Sequence, residues 1–277
     1  LRAVAGDPRA VVASARVSNV TAGGTYGLAF PVLTAAASVV APGSAAFLFG
    51  PPLPSAERLN VSLFAPFEAS SADVVVLDAS GTPRRTVRVD LGPFRRRQLD
   101  DLLAGEEPGA SVRVAVLAGR LQLYGTAVSN SPTNDPWRVP ALPLASAAAA
   151  WTVPAVASAP GRNEAYFRSD LFLLSPSGAS VEATLLPRDG SPAVRALVPL
   201  APGAPHVVTD LLAALFPSKA PGAGALLLSS PAPVLPLAVT RSDPPTGPAS
   251  QDLPCVTGGD EARPGRPLAI PLAVLNP

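Results

Sequence analysis

The stretch Arg168-Ser-Asp-Leu-Phe-Leu-Leu-Ser-Pro176 follows the same pattern as Arg58-Leu-Asn-Val-Ser-Leu-Phe-Ala-Pro66 earlier in the chain. Each stretch begins with an Arg, has a short polar residue two positions later, continues as an apolar run and ends at a Pro. A short apolar run bounded by Pro is typical of a β-strand. Because the two copies lie about 110 residues apart, they indicate a repeated domain of that length.

Other segments repeat at nearly the same spacing. Residues 99–104 match residues 208–213, and residues 124–130 match residues 235–241. Two shorter matches lie near the ends, where residues 14–19 resemble residues 125–130 and residues 268–274 resemble residues 151–157. The matches predict a partial repeat, two full β-sandwich repeats and a C-terminal strand segment, in this order: 1–33, 34–145, 146–257 and 258–277.

Composition and alternation indicate an all-β fold. The 35 Pro and 22 Gly residues exclude long helices over most of the chain. In residues 86–91, Val87, Val89 and Leu91 alternate with polar residues, which predicts a strand with one buried and one exposed face. Asp101 and Asp210 each precede Leu-Leu-Ala, where the N-cap of a short helix belongs. We therefore predict two tandem β-sandwich domains of about 110 residues, with extra strands at both termini.

Charge and cysteine content limit the classes of function. The net charge of +1 does not favour nucleic acid as a partner. Cys255 is the single cysteine, so no intrachain disulfide forms. Residues 17–56 and 139–161 carry almost no charge, but repeated Pro residues make them Pro/Ala connectors in our interpretation rather than membrane spans. The chain begins without Met, which we interpret as a mature or trimmed product.

Catalytic and metal-binding patterns are weak. His206 is the single histidine, and it lies in a strand-like run rather than in a recognisable triad motif. Cys255 would need the same His206 to act as a nucleophile. Zinc ligands are too few, and a loop calcium near Asp100 or Asp260 stays open. We predict no enzyme activity, no cofactor and no metal site.

Candidate contact residues fall into two groups. Tyr26 and Trp137 lie in equivalent turn regions of two units and suggest a repeated contact point for a sugar or a protein partner. Arg95, Arg96 and Arg97, with Arg84, Arg85 and Arg88, form a basic cluster. It is either a stripe for polyanions such as acidic polysaccharide or nucleic acid, or a solvated face or an intersubunit salt-bridge patch, and the neighbouring Asp residues favour the second interpretation.

Six further residues recur at the same positions of the two units. An Arg and an Asp two positions apart share one face of a strand, where they can pair or hold a turn. We interpret all six as structural. They are Arg58, Asn60 and Asp101 in the first unit and Arg168, Asp170 and Asp210 in the second.

One run resembles a known class of domain. Tyr166-Phe-Arg-Ser-Asp-Leu-Phe-Leu-Leu-Ser-Pro-Ser-Gly-Ala-Ser180, with residues 200–203 and 210–213, resembles tandem immunoglobulin-like modules on secreted or surface proteins of GC-rich bacteria. The first unit departs from the pattern, since Asn60 replaces the Asp and Phe67-Glu68 replaces the Ser-Gly turn. The resemblance implies a secreted or cell-surface β-sandwich with a binding or spacer role.

Three functions are consistent with these sequence patterns. The first is a structural subunit of a strand-linked polymer or fibre, because a chain cut out of register with its own repeat would leave strands for a second copy to cover. The second is a carbohydrate- or protein-binding adhesion module that uses the loops around Tyr26, Trp137 and Thr246. The third, a hydrolase, needs carboxylates clustered in a cleft. We expect self-association, with no nucleic acid and no membrane span.

Overall fold

The computed structural model describes residues 14–21, 24–31, 39–52, 55–130, 136–161, 164–242 and 249–258. The described residues form strands, one short α-helix and two 3-10 turns, so the predicted all-β class is confirmed. The first strands form a hairpin, β1 (Ser14–Thr21) and β2 (Gly24–Pro31). In the described part of the chain this hairpin pairs with no third strand.

The described residues of the first full unit form ten strands in two antiparallel sheets. One sheet has the order β11-β10-β5-β8 with β3 also on β10, and the other has the order β12-β4-β9-β6-β7. The strands are β3 (Val39–Val40), β4 (Ala45–Phe49), β5 (Glu57–Phe64), β6 (Ser70–Leu77), β7 (Pro83–Leu91), β8 (Arg96–Leu99), β9 (Ser111–Ala118), β10 (Leu121–Ser129), β11 (Trp137–Pro140) and β12 (Leu142–Pro143).

The described residues of the second unit form one curled sheet of seven strands. It follows a 3-10 turn at Leu144–Ser146 and includes the helix α1 (Leu211–Leu215) and a second 3-10 turn at Pro217–Lys219. Its strands are β13 (Ala148–Pro160), β14 (Tyr166–Leu174), β15 (Ala179–Pro187), β16 (Val194–Leu200), β17 (Pro205–Val208), β18 (Gly222–Ser242) and β19 (Ala249–Leu253).

The long strand β18 gives the second unit its two layers. Its first part pairs with β13 and β15, and its second part pairs with β14 and β19. In the first unit, β9 and β10 together correspond to β18. The strand β9 pairs with β4 and β6, as the first part of β18 pairs with β13 and β15, and β10 pairs with β5 and β11, as the second part pairs with β14 and β19. The two units therefore repeat one strand order. The domain boundaries given by the sequence stay a prediction.

The register corrects one sequence match. Thr126 pairs with Asn60 as Val239 pairs with Asp170, so Thr126 is equivalent to Val239 and the match of residues 124–130 to residues 235–241 is wrong by two positions. The cause lies upstream. Residues 102–110 join Asp101 to β9 by turns without a helix, whereas the longer segment after Asp210 contains α1. The predicted helix thus exists in the second unit alone among the described residues.

The interpretation of residues 139–161 as a connector is also wrong. Residues 148–160 form β13, one of the central strands of the second unit. Pro154 lies where the register between β13 and β18 shifts, between Val153 and Val156. A bulge leaves a residue without a ladder hydrogen bond, so a Pro is tolerated there inside a central strand. In the same way β3 and β4 occupy part of residues 17–56.

Residues of the second unit extend the hydrophobic core of the first, so that the two units share this part of it. Along β14, Leu171 and Leu173 pack into the core of the second unit, whereas Phe172 and Leu174 belong to the core of the first. The rings of Phe172 and Phe49 lie 5.6 Å apart between centroids. Phe172 is fully buried. One layer of the second unit is therefore covered on both faces, and no flexible linker separates the units.

A glycine contact marks how closely the units approach. Gly81, in the turn between β6 and β7, has a φ of +81°, and a Cβ there would lie 2.3 Å from the carbonyl oxygen of Gly203 in the second unit. Any side chain at position 81 would push the two units apart.

Candidate functional site

The recurring polar residues form the same contact in both units. The side-chain oxygen of Asn60 accepts a hydrogen bond from the backbone N–H of Asp101 at 3.0 Å. The Asp170 carboxylate accepts one from the backbone N–H of Asp210 at 2.9 Å. Both acceptors satisfy a residue with positive φ, 48° at Asp101 and 44° at Asp210. The contact holds β5 against the turn at Asp101 in the first unit and β14 against the turn at Asp210 in the second.

The second unit adds a charge to this contact. Asp170 is fully buried, and Arg241 pairs with it, with Nε 2.5 Å from Oδ2 and Nη2 donating to Oδ1 at 3.2 Å. Neither Oδ2 of Asp170 nor Nε of Arg241 forms a hydrogen bond, so their contact is an ion pair. In the first unit the neutral Asn60 needs no such partner, and Val128 stands at the position equivalent to Arg241.

Glu57 lies beside this cluster. It accepts a hydrogen bond from the indole nitrogen of Trp137 at 3.2 Å. Burial raises the pKa of Glu57 above its ordinary value, while the Trp137 hydrogen bond and the charge of Arg241 act in the opposite direction. The remaining predicted structural pair members form local contacts, since Arg58 donates to Asn130 at 3.1 Å and Arg168 lies 3.7 Å from Asp210.

Trp137 therefore lies inside the fold. It is 1 % exposed and belongs to β11 rather than to a turn. Its position favours packing over contact with a partner. Tyr26 lies in β2 opposite Asn19, so it too is in a strand rather than in a turn.

The basic cluster is partly neutralised. Arg88 pairs with Asp73 and Asp90, and Arg84 lies 3.8 Å from Asp78. Arg96 on β8 donates to Ser62 at 2.8 Å and also to Gln98. Arg95 and Arg97 are exposed beside Arg96. The structure brings Arg95, Arg96 and Arg97 together at one sheet edge, and their use as a polyanion stripe stays a prediction.

His206 and Cys255 are the two residues that a nucleophilic mechanism would need. His206 sits on β17 opposite Leu173. Burial raises the pKa of the Cys255 thiol to about 12, so the thiolate is scarce at neutral pH. Across the described ranges, no group of three or more His, Cys, Asp and Glu side chains is placed to hold a metal ion. None of the described helices is long and apolar enough to cross a membrane.

The second unit carries a groove that the sequence reasoning missed. It is open, has a volume of about 640 Å³ and is lined mainly by small apolar residues, among them Pro154, Ala155 and Ala225, with Phe167, Leu186 and Arg188 at its rim. A neighbouring cavity of about 540 Å³ shares Ala159, Arg188 and Ala223 with it and includes Lys219. The shift in register at Pro154 opens this space between β13 and β18.

Exposed leucines lie beside the groove on the same unit. Leu186, Leu197 and Leu227 are 41 %, 68 % and 37 % exposed. A comparison of the two repeats could have found them, because Leu197 and Leu227 stand where the first unit has Arg88 and Arg113.

Comparisons with known proteins add little to this geometry. No protein-family model and no curated protein matches the sequence. A solved structure that matches is the crystal structure of Momordica charantia 7S globulin, with 12 % identity, a TM-score of 0.23 and coverage of 73 % of this chain and 70 % of that chain. A similarity at this level carries no functional argument.

Proposed function

We propose that this chain is a non-enzymatic structural protein of a bacterial surface or extracellular assembly. Its two immunoglobulin-like β-sandwich repeats would act as one stiff spacer. The observation that supports this proposal most strongly is the shared core, in which Phe172 and Leu174 of the second unit pack into the core of the first. Units with a shared apolar interface move as one body, whereas units joined by a linker reorient.

Polar contacts between the units add to this stiffness. Arg138 on β11 donates to Asp252 on β19, and both side chains are mostly buried. Burial raises the pKa of Glu57, and the charges of Arg241 and Asp170 of the second unit act on it in opposite directions, so charges of both units lie in one cluster. Partly buried ion pairs of this kind fix orientation more than they add stability.

Self-association through strands is the form of assembly that we favour. The hairpin of β1 and β2 pairs with no third strand among the described residues. Free strand edges are sites where a strand from another chain can add. Head-to-tail addition of this kind does not close and produces a fibre.

Light scattering and negative-stain microscopy test this proposal. We expect the full chain to form polymers and a chain without residues 1–33 to lose them. A matched control replaces Asn19 by Ala, which keeps the backbone of the hairpin. A full chain that stays monomeric at all concentrations, with two separate unfolding transitions for the two units, would contradict the proposal.

An adhesion module is the second candidate, favoured by one sheet face of the first unit. Where the second unit has Phe172, Leu237 and Val239, the first has Ser62, Tyr124 and Thr126. Gln98 pairs with Ser62 on the next strand and is exposed. The Ser62 hydroxyl is buried, but the partly exposed Tyr124 ring with the Thr126 hydroxyl and the exposed Gln98 amide suits a sugar chain. A glycan array tests this candidate, with a Gln98→Ala variant that should lose binding and a Glu182→Ala control that should keep it.

A further inference from the structure

The outer face of the second unit is more apolar than an exposed sheet needs to be. On β16, Leu197 points outward between Arg195 and Pro199, while Val198 and Leu200 point into the core. Leu227 on β18 is opposite Thr184, and Leu186 on β15 is opposite Ala225. These residues lie on the same outward side of the sheet, with Glu182 and Thr184 between Leu197 and Leu227, and Leu186 and Ala225 also line the groove; we call this surface the leucine face. It consists of Leu186, Leu197, Leu227, Pro154 and Ala225.

The first unit provides an internal comparison for this surface. Leu197 is opposite Glu182 as Arg88 is opposite Asp73, and Leu227 is opposite Thr184 as Arg113 is opposite Val75. The same fold therefore carries Arg at these positions when they face solvent. Because the fold does not require Leu there, the two leucines call for a separate explanation, and a partner surface supplies one.

Part of the equivalent surface is already an interface within the chain. The row Leu186–Ala225 in the second unit is equivalent to the row Leu77–Ser111 in the first. Leu77 and Ser111 are buried, and Phe49 beside them contacts Phe172 of the second unit. Inside the molecule, the second repeat unit covers this row of the first unit.

We infer that the leucine face binds the leucine face of a second copy of this chain, about a two-fold axis. Two-fold pairing puts the apolar residues of both copies in contact. It also lets Glu182 and Arg195, which lie 3.7 Å apart on this face, meet the opposite charges of the partner copy. Head-to-tail stacking onto the first unit is less favourable, because that unit offers Ser62, Gln122 and Thr126 where the interface within the chain uses Phe172, Leu235 and Val239.

Sedimentation velocity over a range of concentrations tests the inference, with the chain lacking residues 1–33 so that strand-linked polymers do not obscure the mass. We expect a species of twice the chain mass. The double variant L197R/L227R places Arg where the first unit already tolerates it, so the fold should be kept. Four charges then meet at the interface, and we expect the dimer Kd to rise at least about a hundredfold.

The control is Phe94→Arg, which changes an exposed apolar residue of the first unit that is 62 % exposed and lies off the leucine face. It should leave the dimer intact. A monomeric parent chain, or a dimer that survives L197R/L227R, would overturn the inference. These results are independent of the proposed fibre. The fibre depends on residues 1–33, so its formation by the full chain does not depend on pairing of the leucine face.

Discussion

Replacing Asp170 by Ala should destabilise the chain more than any other single change in the polar cluster. The carboxylate is fully buried, pairs with Arg241 and accepts the backbone N–H of Asp210. Removing it leaves a mostly buried guanidinium without its counter-charge, which costs about 3–5 kcal/mol. It also leaves the Asp210 N–H without an acceptor. Because both losses arise from one carboxylate, their free-energy costs are not additive.

The repeat supplies the matched controls for this prediction. Asp170→Asn keeps an oxygen for the Asp210 N–H, as Asn60 does for Asp101, but leaves Arg241 unpaired, and we expect it to recover about 1 kcal/mol relative to Asp170→Ala. The double variant D170N/R241V reproduces the arrangement of the first unit, with Asn60 and Val128 at the equivalent positions. Replacing a whole buried ion pair by neutral groups is often neutral, so we expect stability within about 1 kcal/mol of the parent chain.

Urea unfolding followed by tryptophan fluorescence measures these differences. Trp137 reports on the first unit and Trp151 on the second. The order of stability should be parent and D170N/R241V, then Asp170→Asn, then Asp170→Ala. A double variant as unstable as Asp170→Ala would refute the idea that Arg241 is present to neutralise Asp170.

Three further predictions concern other parts of the molecule. Glu57 has a pKa raised above its ordinary value of 4.5, so the folded chain binds the proton of this carboxyl more tightly than the unfolded chain does. The contribution of Glu57 to stability is therefore present below about pH 4.5 and is lost as the pH rises through the folded pKa. Glu57→Gln should therefore flatten the fall of the urea midpoint between pH 4 and 8, and an unchanged slope would contradict this. Phe172→Ala should cost about 3–5 kcal/mol and separate the Trp137 and Trp151 transitions, while a single transition of unchanged midpoint would show that the shared core does not couple the units. Cys255, with a thiol pKa of about 12 against 9.0 for a free thiol, should react with iodoacetamide at pH 8 about a thousandfold more slowly in the native chain than in urea; similar rates would place the thiol in water.

The strands and the repeat were readable from the sequence because they depend on local patterns. Alternation in residues 86–91 predicted β7, and the Arg-x-Asp and Arg-x-Asn matches aligned β14 with β5. Asp170 and Asp210 were grouped as recurring residues from the sequence, and their direct contact became visible only in the structure.

The shared core was missed although one signal for it existed. Residues Leu171-Phe-Leu-Leu174 are apolar without alternation, whereas Val61-Ser-Leu63 in the first unit alternates. A continuous apolar run indicates a strand buried on both faces. Trp137 was misplaced for a different reason, since its position relative to a turn does not reveal that Glu57 and the strand β11 draw its ring inward. The groove at Pro154 depends on a bulge between distant strands, which no local pattern encodes.

The strand β18 also fixes when the second unit can fold during synthesis. Its residues 222–234 provide most of the partners of β13, which begins at Ala148, and its later residues provide a partner along all of β14 from Phe167. A chain that emerges from the ribosome in order therefore exposes the apolar strands β13, β14 and β15 before their common partner exists. Until that point the nascent second unit is a target for chaperones and for aggregation, and its folding is completed in one late step.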